Sequence, residues 1–226
     1  MKLKDYFILA ATSLLLGAFL TRPIEPRPVI LSTIDSTQIQ EDTSEVNVDG
    51  KRALFIGDSH TANKTNGWQT QLSKAVGFKQ INASEIGKTT YWMLNMAVYK
   101  LEGRFDYCFV YGGANDMYTT SITAQEAVNN IKGIAKICNK LGVKCIVLTG
   151  FDPVLCTRTP NKRYGYRYAD FQRMLLTQYM EGATVVDTRV VDRRDCWDGL
   201  CHMNPEGHRK IAKAVIKQLR FKINTK

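Results

Sequence analysis

The chain has 226 residues, 44% of them hydrophobic, enough for one domain with a full core and too few for two of ordinary size or for a wholly disordered chain. The net charge of +10 is unevenly placed: residues 1–50 carry 4 Lys/Arg against 7 Asp/Glu, whereas residues 51–226 carry 27 against 14. A body this basic suits anionic surroundings or serves as a solvated face; no basic run is interleaved with aromatics, so nucleic acid is not an expected partner.

Lys2 and Lys4 precede Tyr6 to Leu20, a run of uncharged and mostly apolar residues closed by Arg22 and Pro23. The run has signal-peptide length and falls short of the ~20 residues of a membrane span. Residues 1–20 therefore read as a signal peptide or membrane anchor. The protein is expected to be exported, and held at a membrane through residues 6–20 if that segment is not cleaved. Residues 21–50 hold Pro23, Pro26 and Pro28, then a stretch rich in Ser, Thr, Asp, Glu and Gln, which is the composition of a flexible linker.

From Lys51 to Lys226 apolar runs alternate with helical periods, and residues 51–226 are expected to form the body. Ala53–Ile56 reads as a buried strand, Asn66–Val76 as a helix, Gln80–Ala83 as a second strand and Tyr91–Leu101 as a helix. Tyr107–Tyr111 is a third strand running into Gly112 and Gly113. Ala127, Val128, Ile131, Ile134 and Ala135 repeat at helical spacing within Ala124–Leu141. Cys145–Leu148, Tyr168–Tyr179, Ala183–Val186 and Pro205–Leu219 follow as strand, helix, strand and closing helix. Strands separated by helix-length segments imply parallel pairing through right-handed crossovers. The expected fold is a three-layer α/β/α sandwich on a five-stranded parallel sheet, flavodoxin-like, with its site beyond the carboxyl ends of the strands.

Four polar motifs fall at those ends. Gly57-Asp58-Ser59-His60 follows the first strand, where a serine at a strand-to-helix turn exposes its hydroxyl; an isolated G-D-S reads first as a helix cap made by Asp58 or Ser59. Asn82-Ala83-Ser84-Glu85-Ile86-Gly87 follows the second, and Gly87 either offers a bare backbone N–H or is an ordinary turn glycine. Gly113-Ala114-Asn115-Asp116 follows the third, where an Asn amide can donate to an oxyanion or form an Asx turn. The last, Asp198-Gly199-Leu200-Cys201-His202-Met203-Asn204-Pro205-Glu206-Gly207-His208, supplies in His202 a base able to take a serine proton.

In this order the four motifs resemble the blocks of the SGNH (GDSL-like) hydrolase family, over residues 51 to about 219. The resemblance implies Ser59 as nucleophile, an oxyanion hole from the N–H groups of Ser59 and Gly87 and the Asn115 side chain, and His202 as base. The family writes its last block D-x-x-H, whereas here Gly199 stands three before His202 and Asp198 four before it. Either a residue such as Cys201 bulges so that Asp198, the favoured acid, reaches the imidazole, or a backbone carbonyl orients the ring; Asp195 is a remoter candidate, and a Cys196–Cys201 bridge is a means of holding the insertion. Cys108 and Cys145, within apolar runs, read as buried thiols. His60, Trp92, Tyr118 and Trp197 are candidates to line the substrate cleft, with Tyr91 beside them. The stretch holding Arg163, Tyr164, Tyr166, Arg167 and Tyr168 reads as a surface loop or a substrate flap.

The implied activity is that of a serine esterase using an acyl-enzyme, without metal or organic cofactor, acting on acylated glycan of the envelope or cell exterior, or on a lipid ester. An O-acyltransferase using the same residues, and a tethered binding module that has lost turnover, are the alternatives. Asp58-Ser59-His60 also fits the D-x-H of a metallophosphoesterase, but three histidines are too few for a two-metal site of that kind.

Overall fold

The computed structural model describes residues 44–119, 121–152, 162–197 and 202–224. Residues 1–20, expected to be a signal or anchor, and most of the expected linker lie outside them. Five strands, β1 (Arg52–Gly57), β2 (Lys79–Asn82), β3 (Tyr107–Tyr111), β4 (Lys144–Leu148) and β5 (Ala183–Val186), form one sheet in the order β2-β1-β3-β4-β5, with every pairing parallel. The helices are α1 (Ser59–Ala62), α2 (Trp68–Val76), α3 (Thr90–Lys100), α4 (Ala114–Tyr118), α5 (Ala124–Lys140), α6 (Lys162–Thr177) and α7 (Pro205–Leu219). This is the expected α/β/α sandwich.

The three inner strands are apolar runs because helices cover both faces of the sheet: β3 is buried throughout, and β1 and β4 expose only their first residues. Phe55 and Phe109 stack at 4.8 Å across β1 and β3, and Trp68 meets Phe55 edge-on at 5.4 Å. Amphipathic helices close the layers. α5 begins with a capping box between Thr123 and Glu126 and buries Ala127, Val128, Ile131, Ile134 and Ala135. α7 begins with Asn204 as cap and Pro205 in its first turn, where a missing N–H costs nothing.

Two boundaries differ from the sequence reading. The Arg163–Tyr168 stretch is the start of α6 rather than a loop or flap, because Tyr164, Tyr168, Phe171 and Leu175 repeat at helical spacing and are buried together. The packed body also begins before Lys51: Val46 pairs with Phe221, and Val48 is buried. Among the described residues no helix is long and apolar enough to cross a membrane.

β2 and β3 lie on opposite sides of β1, so the chain reverses direction across the sheet at β1 and β3 and leaves a crevice beyond their carboxyl ends. Ser59 follows β1 and Asn115 follows β3 into that crevice.

Candidate active site

Gly57 ends β1 where the backbone passes close to its neighbours: a Cβ there would sit 2.6 Å from the Tyr111 carbonyl oxygen and 2.6 Å from Thr61 Oγ1. Asp58 then caps α1, its carboxylate accepting from the His60 N–H at 3.0 Å, which starts the helix at Ser59. Asp58 thus fills the cap reading of this motif, while Ser59 at the strand-to-helix turn is half-buried. Ser59 Oγ lies 3.3 Å from His202 Nε2, across 143 residues of sequence. His202 sits on a short hairpin in which Cys196 and Met203 form an antiparallel bridge and the Trp197 N–H donates to the His202 carbonyl at 2.8 Å.

The second and third motifs are tied to each other and to this pair. The Ala83 and Glu85 N–H groups donate to the Phe55 and Gly57 carbonyls, strapping the loop after β2 against the end of β1. Asn82 Nδ2 donates to the Thr61 carbonyl at 2.8 Å. Gly87, in that loop, has φ +77 with open space where a Cβ would stand, so backbone conformation rather than crowding calls for glycine. Asn115 Nδ2 donates to the Lys88 carbonyl at 3.0 Å and lies 3.5 Å from Asp58 Oδ2, so its amide is oriented from both sides.

Two buried carboxylates brace the site: Asp58, read from sequence only as a helix cap or part of a D-x-H motif, and Asp116, which had no role of its own in the sequence reading. Asp116 accepts from the Thr90 N–H at 2.9 and 3.1 Å and from the Thr90 hydroxyl, linking α4 to the first turn of α3. Burial raises its pKa, opposed by those bonds. Asp58 has no exposed surface; burial pushes its pKa up to about 7, against the pull of the His60 N–H, and the Asp116 charge adds to the rise. Their adjacency to Ser59 and Asn115 was the available signal.

His60, expected in the cleft, is only 3% exposed. Its ring stacks on Tyr111 and on His202 and tilts against Phe151, so it backs the site rather than facing substrate. Trp92 is half-buried against the core with Lys88 Nζ over its ring, whereas Tyr118 and Tyr91 are exposed, Tyr118 edge-on to Tyr164. Trp197 is 73% exposed. Asp198 and Cys201 lie outside the described residues. Asp195 is buried and its Oδ2 accepts from Lys210 Nζ at 2.6 Å and from the Asp192 N–H at 2.8 Å, an anchor for the turn that leads into the hairpin. Among the described residues no group of three or more His, Cys, Asp or Glu side chains could hold a metal ion.

The five-stranded parallel sheet with flanking helices is the fold of the SGNH-type ester hydrolases. A family model described as GDSL-like Lipase/Acylhydrolase family matches residues 55–210, and the chain belongs to that family; it is a carboxylic ester hydrolase by class. No curated protein matches the sequence. Among solved structures the fold is similar to Axe2, an acetylxylan esterase from Geobacillus stearothermophilus, at 17% identity and TM-score 0.60, covering 80% of this chain and 100% of that one. It is also similar to LAE5, an alpha/beta hydrolase enzyme from the metagenome of Lake Arreo, at 16% identity and TM-score 0.63, covering 76% and 95%. A member of the lipolytic G-D-S-L family from Veillonella parvula matches at 14% identity and TM-score 0.60, covering 74% and 96%.

Proposed function

We propose that the protein is a serine esterase that removes O-acetyl or other short acyl groups from glycan of the cell envelope or exterior. The observation that carries this reading is the 3.3 Å approach of Ser59 Oγ to His202 Nε2 at the end of β1. In the first half-reaction His202 Nε2 takes the Ser59 proton as Oγ attacks the ester carbonyl. The carbonyl oxygen becomes an oxyanion that receives hydrogen bonds from the Ser59 and Gly87 N–H groups and from Asn115 Nδ2, one hydrogen of which stays on the Lys88 carbonyl while the other gives up its 3.5 Å contact with Asp58 Oδ2. His202 then protonates the departing sugar oxygen, leaving Ser59 acylated. Water, deprotonated by the same imidazole, releases the carboxylic acid. Asp198 orients the imidazole through its other ring nitrogen.

The glycan reading is supported by an exposed tryptophan beside the base, by the acetylxylan esterase among the similar folds, and by the basic body, which suits an anionic envelope. Export through residues 1–20 would put the enzyme there. The test is hydrolysis of a panel of 4-nitrophenyl acetate, butyrate and longer esters with an acetylated oligosaccharide. Turnover confined to short acyl chains and lost in Ser59→Ala is expected; preference for long chains would make the substrate a lipid ester.

A further inference from the structure

The hairpin that carries His202 also presents an aromatic surface. Cys196 and Met203 are bridged partners and both point inward, 9% and 3% exposed. Side chains alternate across an antiparallel pair, so the next partners, Trp197 and His202, share the outer face, with Cβ atoms ~5 Å apart by that geometry. The Trp197 N–H bond to the His202 carbonyl, 2.8 Å, fixes this register. A tryptophan left 73% exposed there contributes little to the core and, by this register, presents a large flat ring on the same face as His202.

That face forms one wall of a groove of about 560 Å³, within the size range of small-ligand sites. The other walls come from the start of α7, with Asn204, Glu206 and Arg209, and from the α2 side, with Asn66 and Gln71. Gln71 Nε2 joins these walls by donating to the Asn66 and Pro205 carbonyls at 2.8 and 3.1 Å. Glu206 and Arg209 are paired with each other through two hydrogen bonds, so the charges in the groove cancel locally. Asn204 is spent on capping Glu206 and Gly207. What remains is an indole face edged by the Asn66 amide and a neutralised ion pair, which suits the apolar face and a hydroxyl of an uncharged pyranose ring better than a carboxylate or an acyl chain.

We propose that this groove is a subsite for a neutral sugar residue of the acylated glycan, stacked on Trp197, next to the residue whose ester is cleaved at Ser59. The proposal rests on the glycan-esterase reading, and two measurements on the full-length chain separate them. In Ser59→Ala, titration with an unacetylated neutral xylo-oligosaccharide should quench tryptophan fluorescence, because Trp68 is buried and Trp92 half-buried. The quench should vanish in Ser59→Ala/Trp197→Ala. This arm decides the subsite even if the wild type hydrolyses no ester, which would sink only the esterase reading. In the wild-type background, the ratio of kcat/KM for an acetylated xylo-oligosaccharide to that for 4-nitrophenyl acetate should fall 10- to 100-fold in Trp197→Ala, through KM, and recover in Trp197→Phe. An equal fall for both substrates would assign Trp197 to holding His202 and overturn the subsite. An unchanged ratio, no quench, or a quench only with an oligouronide would overturn it too.

Discussion

The ring of His60 lies parallel to that of His202, 5.3 Å between centroids and 16° between planes, and Tyr111 stacks on His60 at 5.5 Å. His60, the residue after Ser59, therefore backs the His202 ring. His60→Ala should destabilise the fold by roughly 3 kcal/mol, the cost of removing a buried ring, and should lower kcat more than it raises KM. His60→Phe keeps the stack and should recover most of both. Thermal unfolding and steady-state kinetics on the two variants check this; a KM effect alone would return His60 to the substrate cleft.

Asn115→Ala removes an amide already oriented by the Lys88 carbonyl. Turnover of an acetyl ester should drop about 100- to 1,000-fold with a smaller change in KM, the usual loss of one oxyanion donor. An effect limited to KM would make Asn115 a ground-state contact.

Asp198→Asn and Asp195→Asn should separate two neighbouring acids by what each loses. Asp198→Asn should cost on the order of 10,000-fold in kcat with the fold intact, because an amide presents the imidazole with the wrong partner. Asp195→Asn should lower the unfolding temperature, since its carboxylate holds Lys210 Nζ and the Asp192 N–H. Near-wild-type kcat for Asp198→Asn would mean that Ser59 and His202 work as a dyad.

Two buried groups give stability opposite pH dependences. His208, buried in the first turns of α7, has its pKa lowered by burial to about 4. Below its ordinary value of 6.5 the unfolded chain takes up a proton that the folded chain refuses, so this contribution is present above pH 6.5 and lost as pH falls to 4, a change of about 3 kcal/mol. Asp58 acts in reverse: raised from 3.8 to about 7, it holds its proton in the fold, and its contribution is lost as pH rises through 7. Asp58→Asn keeps an acceptor for the His60 N–H and removes the buried charge. Its gain in stability should therefore grow by roughly 2 to 3 kcal/mol between pH 5 and pH 8, as denaturant unfolding at the two pH values would measure. A pH-independent difference would contradict the buried-carboxylate account.

The sheet was legible in the sequence because strands buried on both faces are unbroken apolar runs: Ala53–Ile56 and Tyr107–Tyr111 could be little else. Ser59, Asn115 and His202 could be picked out as candidates because each follows a strand or precedes the last helix. What escaped reading depends on contacts distant in sequence. His60 beside a nucleophile suggests a cleft, and only its packing on Tyr111, Phe151 and His202 shows burial. Val46 and Val48, in polar surroundings, gave no sign of docking on Phe221 and the core. The start of α6 was hidden by Gly165 and by tyrosines and arginines that resemble a loop, although Tyr164, Tyr168 and Phe171 already held the helical period.

The central claim is that Ser59 is a nucleophile activated by His202, and covalent capture tests it most directly. Intact-protein mass spectrometry after incubation with a fluorophosphonate should show one adduct per chain, mapped by peptide analysis to Ser59. The adduct should be absent in Ser59→Ala and form far more slowly in His202→Ala. No adduct on a folded protein, or one that maps elsewhere and persists in Ser59→Ala, would contradict the account.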